Sequence, residues 1–244
     1  MFKEHFTEAK QLIPEIRKLD FKVVFIFLSV AVIIFLSVSF ASPLFFYNTF
    51  GGDRYESRLY WFFSDGLLMF LASSLSVKFV LKAKLKDFGF TLGDKKFGFF
   101  TTALFLAVML PVLWIVSATP DFAKAYPQGG IQVSESWYRF LLYEFSILIY
   151  MLGWEFLWRG YMLFGLKEKF GYYSIFIQMI PFFILHKGKP ELELFASIFA
   201  GLILGIQAVR SRSFIYAWIL HWLIMLFIDS ISIIRGQFQF YKIF

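Results

Sequence analysis

The sequence predicts an all-α protein, a polytopic transmembrane helical bundle of about seven helices, with roughly six to eight as the range. Hydrophobic residues make up 59% of its 244 positions, whereas soluble domains average about 45–50%. They fall in long runs, and about 20 apolar residues suffice to span a bilayer as a helix. The basic residues behind the net charge of +7 lie between the runs. We therefore expect an integral, multi-pass protein in contact with the lipid bilayer, and no nucleic-acid partner.

The apolar runs divide the chain. They are 23–46, 59–81, 99–118, 137–166, 172–186, 191–209 and 213–234. The fourth is too long for one straight span, so we expect it to tilt, break or extend into water. We predict a cytoplasmic, surface-lying segment at 1–22, a first group of helices at 23–136, a second at 137–234 and a short tail at 235–244. Cysteine is absent, which excludes disulfides and thiolate metal sites.

The distribution of lysine and arginine predicts the orientation in the membrane. The 1–22 segment and the 82–98 loop are rich in these residues, whereas the loops at 47–58 and 119–136 carry few. Because basic loops are retained on the cytoplasmic side, we expect the N-terminus and the 82–98 loop in the cytoplasm. A bundle of about seven helices then places the C-terminus outside.

Glu155, His186 and His221 lie within or at the end of apolar runs. An ionisable group in hydrocarbon is costly and needs a partner or a function. Glu155 and Arg159 have the i, i+4 spacing, acid first, of a helical ion pair, which is either structural or part of a functional site. His186 is either an interfacial helix-end residue or functional, and His221 is either a buried structural histidine or functional.

Three further acidic residues are secondary candidates. Glu144 shares a helix face with Glu155, and it either walls a polar cavity or bonds a neighbouring helix, which we favour. Glu193 stands at the start of the sixth helix, where a negative charge is favourable. Asp229 faces either the same cavity or the outer interface.

Short motifs on separate helices carry a family resemblance. Trp154-Glu155-x-x-x-Arg159 resembles a Glu-Glu-x-x-x-Arg motif, Phe182-x-x-x-His186 a Phe-x-x-x-His motif, and His221-x-x-x-Met225 a His-x-x-x-Asn motif. In this order they are similar to the motifs of the CAAX-protease and bacteriocin-processing (CPBP) family, which includes type II CAAX endopeptidases. Trp154 stands where the family has its first glutamate, and Met225 where it has asparagine.

The resemblance implies that water is activated to cleave a peptide bond inside the membrane. It implies Glu155, paired with Arg159, as the general base, one of His186 and His221 polarising the water, and the other stabilising the oxyanion. Phe182, Glu144, Glu193 and Asp229 are then supporting residues. Two histidines and a carboxylate can also hold zinc with an open position. We expect no tightly bound metal or other cofactor, because Glu155 cannot easily be both ligand and base; if a metal binds, His186 and His221 are its ligands.

We therefore predict an intramembrane endopeptidase that cuts a membrane-associated protein or peptide substrate, in a bacterial plasma membrane. The alternative is a pseudoprotease that keeps the fold and binds a membrane partner, as an immunity or scaffold protein does. Trp154 and Met225 favour this alternative. A small transporter with a proton relay is less favoured, because the sequence shows no inverted repeat.

Overall fold

The computed structural model describes residues 14–16 and 18–238, which form helices and turns without a strand. Six segments are long and apolar enough to cross a membrane: Phe21–Phe40, Arg54–Val80, Lys95–Val116, Trp137–Phe170, Glu191–Ser211 and Ile215–Gly236. A shorter apolar helix, Tyr173–Ile184, corresponds to the short fifth run. The predicted all-α polytopic bundle is confirmed. The predicted surface segment at 1–22 and the tail at 235–244 lie mostly outside the described residues.

The helices are numbered in chain order. They are α1 (Phe21–Phe40), α2 (Pro43–Thr49), α3 (Arg54–Leu75), α4 (Lys95–Val116), α5 (Pro120–Ala125), α6 (Trp137–Glu155), α7 (Leu163–Phe170), α8 (Tyr173–Ile184), α9 (Glu191–Ser211) and α10 (Ile215–Phe238). The π-helical segments Ser76–Val80 and Phe156–Met162 extend α3 and join α6 to α7, and 3-10 turns lie at Leu85–Phe88 and Ile131–Ser134. Four spans begin at a side chain that accepts a first-turn N–H: Asp20, Asp53, Asp94 and Ser136.

The first predicted run is two helices rather than one, because α1 ends at Phe40 and α2 begins at Pro43. Ser42 caps α2 by accepting the N–H of Phe45 at 3.2 Å. Proline is favoured at the first helical position, where its missing N–H would have no helical partner. The fourth run does not break: it is one helical segment of 34 residues, and its π-helical part follows Glu155 directly.

Helices α3 and α6 cross at two glycines. A Cβ on Gly153 would lie 2.0 Å from the carbonyl oxygen of Gly66, and a Cβ on Gly66 would lie 2.6 Å from that of Ile149. Backbones approach this closely where side chains are absent, as at small-residue helix crossings in membranes. Because Gly153 lies two residues before Glu155, this crossing fixes how α6 presents its polar residues.

The glycine pair Gly201 and Gly205 lies where α9 packs on α8. A Cβ on Gly201 would lie 2.7 Å from Met179, and one on Gly205 would lie 2.9 Å from the amide of Gln178. The same amide donates to the carbonyl oxygen of Gly201 at 2.8 Å. This seam holds α8, and with it His186 just beyond its end, against α9.

We predict that Gly153→Ala lowers the free energy of unfolding by about 1–3 kcal/mol, because the added methyl meets backbone rather than a flexible side chain. Thermal unfolding of the purified protein in lipid nanodiscs measures the change. Gly236→Ala is the control, since nothing lies within 4 Å of its added Cβ. Equal stability of the two variants would contradict a close α3–α6 crossing.

Candidate active site

Glu155, at the end of α6, binds two side chains through one oxygen. Its Oε1 accepts a hydrogen bond from Arg159 Nη1 at 3.0 Å and lies 2.6 Å from His221 Nδ1 on α10. The side chains of Glu155 and Arg159 are both 0% exposed, and that of His221 is 13% exposed. The helical ion pair inferred from the spacing is present, and it extends to a histidine 66 residues further along the chain.

The hydrogen-bond partners indicate which ring nitrogen of each histidine is free. A carboxylate accepts, so His221 Nδ1 donates to Glu155, and Nε2 of the neutral ring keeps its lone pair. His186 Nδ1 lies 2.7 Å from the carbonyl oxygen of Phe182, which also accepts. Burial lowers the pKa of His186 to about 4, although the bond to Phe182 acts in the opposite direction. At neutral pH His186 is therefore uncharged, with its lone pair on Nε2.

Phe182 lies between the arginine and the two histidines. The guanidinium of Arg159 is 3.9 Å from the ring centroid of Phe182. The rings of His186 and His221 are 4.5 and 6.1 Å from the same centroid. A desolvated cation over an aromatic face contributes about 2 kcal/mol. Phe182, a supporting residue in the motif, thus packs α8 against the Glu155–Arg159–His221 network.

The two positions that depart from the family motifs are both apolar and buried. Trp154 is 6% exposed, and its ring lies 5.9 Å from that of His186 and 5.8 Å from that of Phe182. Its Nε1 has no hydrogen-bond partner among the described residues. Where the motif has a carboxylate, this chain therefore presents an indole beside His186. Met225 is also buried, and its side chain cannot donate a hydrogen bond as an asparagine would.

A cavity of about 490 Å³ lies against both histidines. Its walls come mainly from apolar side chains of α4, α9 and α10, and Tyr126 also borders it. His186 and His221 line the cavity, whereas Glu155 and Arg159 do not. The structure therefore brings Glu155 and His221 into contact and turns both imidazoles to one cavity, with the carboxylate outside its lining.

Glu193 lines the same cavity from the first turn of α9, where Pro190 is the N-cap. The hydroxyl of Tyr126 lies 2.7 and 2.6 Å from its two carboxylate oxygens and donates to them. Lys189 Nζ donates to the Tyr126 hydroxyl at 2.8 Å and lies 3.4 Å from Glu193 Oε1. Burial, and then the charge of Glu193, raise the pKa of Tyr126 well above its usual value, so the hydroxyl stays protonated. Sequence reasoning missed Tyr126, because a tyrosine in a polar loop belongs to no motif.

Glu144 and Asp229 are buried, and neither lines this cavity. Their carboxylates lie close enough for their charges to interact. The backbone carbonyl of Glu144 accepts a hydrogen bond from Trp222 Nε1 at 3.2 Å, which ties α6 to α10. The Glu144 side chain neither lines the cavity nor bonds a neighbouring helix, because both its carboxylate oxygens are buried without a hydrogen-bond partner among the described residues. Asp229, fully buried, faces neither the cavity nor the outer surface.

The residues present do not form a zinc site. A catalytic zinc takes three protein ligands and an open position. Within residues 14–16 and 18–238, no three His, Cys, Asp or Glu side chains are placed to hold a metal ion. His186 and His221 share a cavity, but the carboxylate oxygen that contacts His221, Glu155 Oε1, is already bonded to Arg159 as well.

Together, the helical spans and the buried Glu–Arg–His network define a polytopic membrane protein with an ionisable site within its bundle. Residues 135–227 match the family described as Rce1-like, type II CAAX prenyl endopeptidase Rce1-like. This match supports the CPBP/CAAX-protease assignment inferred from the motifs. The match includes all three motifs and overlaps the second predicted group of helices. No curated protein and no solved structure gives a significant match.

We predict that Arg159→Met costs about 3–5 kcal/mol of unfolding free energy, because it leaves the Glu155 charge buried without its partner. Arg139→Met is the matched control: Arg139 and Glu135 have the same i, i+4 relation but are partly exposed, and such pairs contribute about 0–1 kcal/mol. Chemical unfolding in detergent micelles compares the two. A loss at Arg159 no larger than that at Arg139 would mean that the buried pair is not a stability determinant.

Proposed function

We propose that the chain is an intramembrane endopeptidase, of the kind its family includes, that hydrolyses a peptide bond in an apolar stretch of a membrane-associated protein. The observation that carries this proposal is that two imidazoles from different helices line one apolar cavity within the bundle. A peptide segment drawn from the bilayer finds there both an apolar environment and groups able to activate water. A bacterial plasma membrane is the proposed location.

His221 is the proposed general base, with Glu155 acting through it. Glu155 accepts the Nδ1 proton of His221, which leaves the Nε2 lone pair for a water molecule in the cavity. As the water oxygen bonds to the carbonyl carbon, its proton moves to Nε2 and the C=O π electrons move to the carbonyl oxygen. When the C–N bond breaks, the same proton passes to the departing amine. The charge of Glu155 stabilises the imidazolium between the two transfers.

Because Met225 cannot donate a hydrogen bond, the site lacks the donor that an asparagine at this position of the family motif would supply. Removing one oxyanion donor costs other hydrolases about 10²–10³ in kcat. We therefore expect a slow enzyme, in which the imidazolium and its neighbours bear the developing negative charge without an amide at this position.

We predict that His221→Ala and Glu155→Gln each lower kcat/KM by about 10²–10⁴, since each removes the base or the group that orients it. The assay uses purified protein in proteoliposomes with a library of quenched fluorescent peptides, each bearing an apolar segment. Glu135→Gln is the control, because Glu135 is exposed and far along the chain from the motifs. A chelator arm tests for metal dependence directly. Cleavage unaffected by His221→Ala would contradict the proposed base.

A second prediction concerns Met225. Met225→Asn restores an amide to the cavity wall and is expected to raise kcat by at least about 10-fold with little change in KM, because the donor acts on the oxyanion rather than on bound substrate. Single-turnover cleavage in the same proteoliposomes measures it. An unchanged rate in a well-folded Met225→Asn variant would mean that the position does not face the reacting carbonyl.

One observation favours a second candidate, a pseudoprotease that binds a membrane partner without cutting it. The indole of Trp154 packs beside His186 at the position of the missing glutamate, so the imidazole has an apolar ring there instead of a carboxylate. This candidate predicts no cleavage by the wild type, and none by Met225→Asn, across the whole peptide library. It also predicts that a membrane partner is captured equally well by the wild type and by His221→Ala.

A further inference from the structure

The carboxylate that lines the cavity is not the one that the motifs mark. Glu155 lies outside the lining, with Oε1 shared by two partners, whereas Glu193 is the acidic residue among those that border the cavity. Its side chain is 20% exposed, compared with 0% for Glu155. Glu193 also lies close enough to His186 for their charges to interact. A water molecule beside the histidines therefore has this one carboxylate within the same cavity.

Glu193 is held in position by its neighbours, and its carboxylate can still accept further hydrogen bonds. The Tyr126 hydroxyl has a single proton, so it donates to one carboxylate oxygen at a time. Lys189 contributes a longer contact of 3.4 Å. An ionised carboxylate has about four lone-pair sites, which leaves sites free toward the cavity. The hydroxyl of Tyr126, itself buried and fixed by Lys189, prevents Glu193 from rotating away.

The lining offers little else to hold a water molecule. Apart from Glu193, its polar side chains are the two histidines, Tyr126 and Ser197. Ser197 donates its hydroxyl to the carbonyl oxygen of Leu194 in its own helix at 2.6 Å. With Nδ1 of each ring donating, Nε2 is the nitrogen of each imidazole that can carry a lone pair. A water that donates one proton to an imidazole therefore needs a second acceptor for its other proton, and Glu193 is the acceptor available.

We propose that Glu193 is a water-binding carboxylate of the active site, positioned by Tyr126, and that it supplies the function that the motif assigns to the glutamate replaced by Trp154. This inference rests on the proposed endopeptidase activity. The water donates one proton to a histidine Nε2 and the other to Glu193, which turns an oxygen lone pair toward the substrate carbonyl. In the attack, the proton on the histidine side moves to Nε2; the other stays on the new hydroxyl, still bonded to Glu193. Glu193 touches the attacking water, and Tyr126 acts through Glu193.

The test compares Glu193→Gln with Glu191→Gln in the proteoliposome assay. Glu191 is the matched control: it occupies the same first turn of α9 but is exposed and does not line the cavity. We expect Glu193→Gln to lower kcat by about 10²-fold or more with a small change in KM, and to alter the acidic limb of the pH–rate profile. Glu193→Asp, which keeps the charge, recovers part of the rate. Tyr126→Phe lowers kcat by a smaller factor and leaves the shape of the profile unchanged.

Thermal unfolding of each variant separates folding from chemistry, and the rates are compared only between variants that melt as the wild type does. If Glu193→Gln loses stability, Glu193→Asp and Tyr126→Phe still report on the carboxylate. Wild-type cleavage with a Glu193→Gln rate within about 3-fold of that of Glu191→Gln overturns the role of Glu193 and leaves the protease intact. Absence of cleavage by the wild type and by Met225→Asn overturns both.

Discussion

The Glu155 carboxylate is a charge in a part of the bundle where no solvent reaches it. Desolvation of such an ion costs several kcal/mol, and the attraction of a partner offsets this only with good geometry. Arg159 and His221 both bond Oε1 of Glu155, and Phe182 covers the guanidinium from another helix. Oε2 has no hydrogen-bond partner among the described residues, so the offset is incomplete. The glycine crossing before Glu155 and the seam between α8 and α9 hold these helices in register. The positions of both histidines therefore depend on how one carboxylate is neutralised.

Much of the fold could be predicted from the sequence, because the length of an apolar helix in a bilayer is fixed by the bilayer itself. The long spans appear within a few residues of the predicted runs. The end of the first span near Ser42-Pro43 could be expected from the sequence. The short helix α2 beyond it could not, since apolar residues continue on both sides and only the cap chemistry separates α1 from α2. The ion pair of Glu155 with Arg159 could be predicted, because the i, i+4 spacing of the two residues on one helix is visible in the sequence.

The rest of the site depends on helix rotation, which hydropathy does not determine in a chain that is apolar on nearly every face. The spacing of residues along α6 did not indicate that Glu155 would point to His221 rather than into the cavity. Glu144 and Glu155 share a helix face by spacing and both contact α10, but their spacing did not indicate that the Glu144 carboxylate would have no hydrogen-bond partner among the described residues. Tyr126 reaches the site from a polar loop and contacts Glu193 in α9. No periodic pattern in the sequence predicts such a tertiary contact.

The departures at Trp154 and Met225 change what the cavity can do more than they change its shape. The indole packs on Phe182 and His186 without lining the cavity, whereas Met225 lines it where the motif has an amide. A chain without catalytic activity would gain no stability from a buried Glu155–Arg159 pair, because replacing a buried ion pair with apolar residues is often neutral or stabilising. Retention of the costly network beside an apolar cavity is thus better explained by a histidine that still needs orienting. Under the proposed endopeptidase function the network keeps His221 oriented, whereas the pseudoprotease alternative assigns it no role.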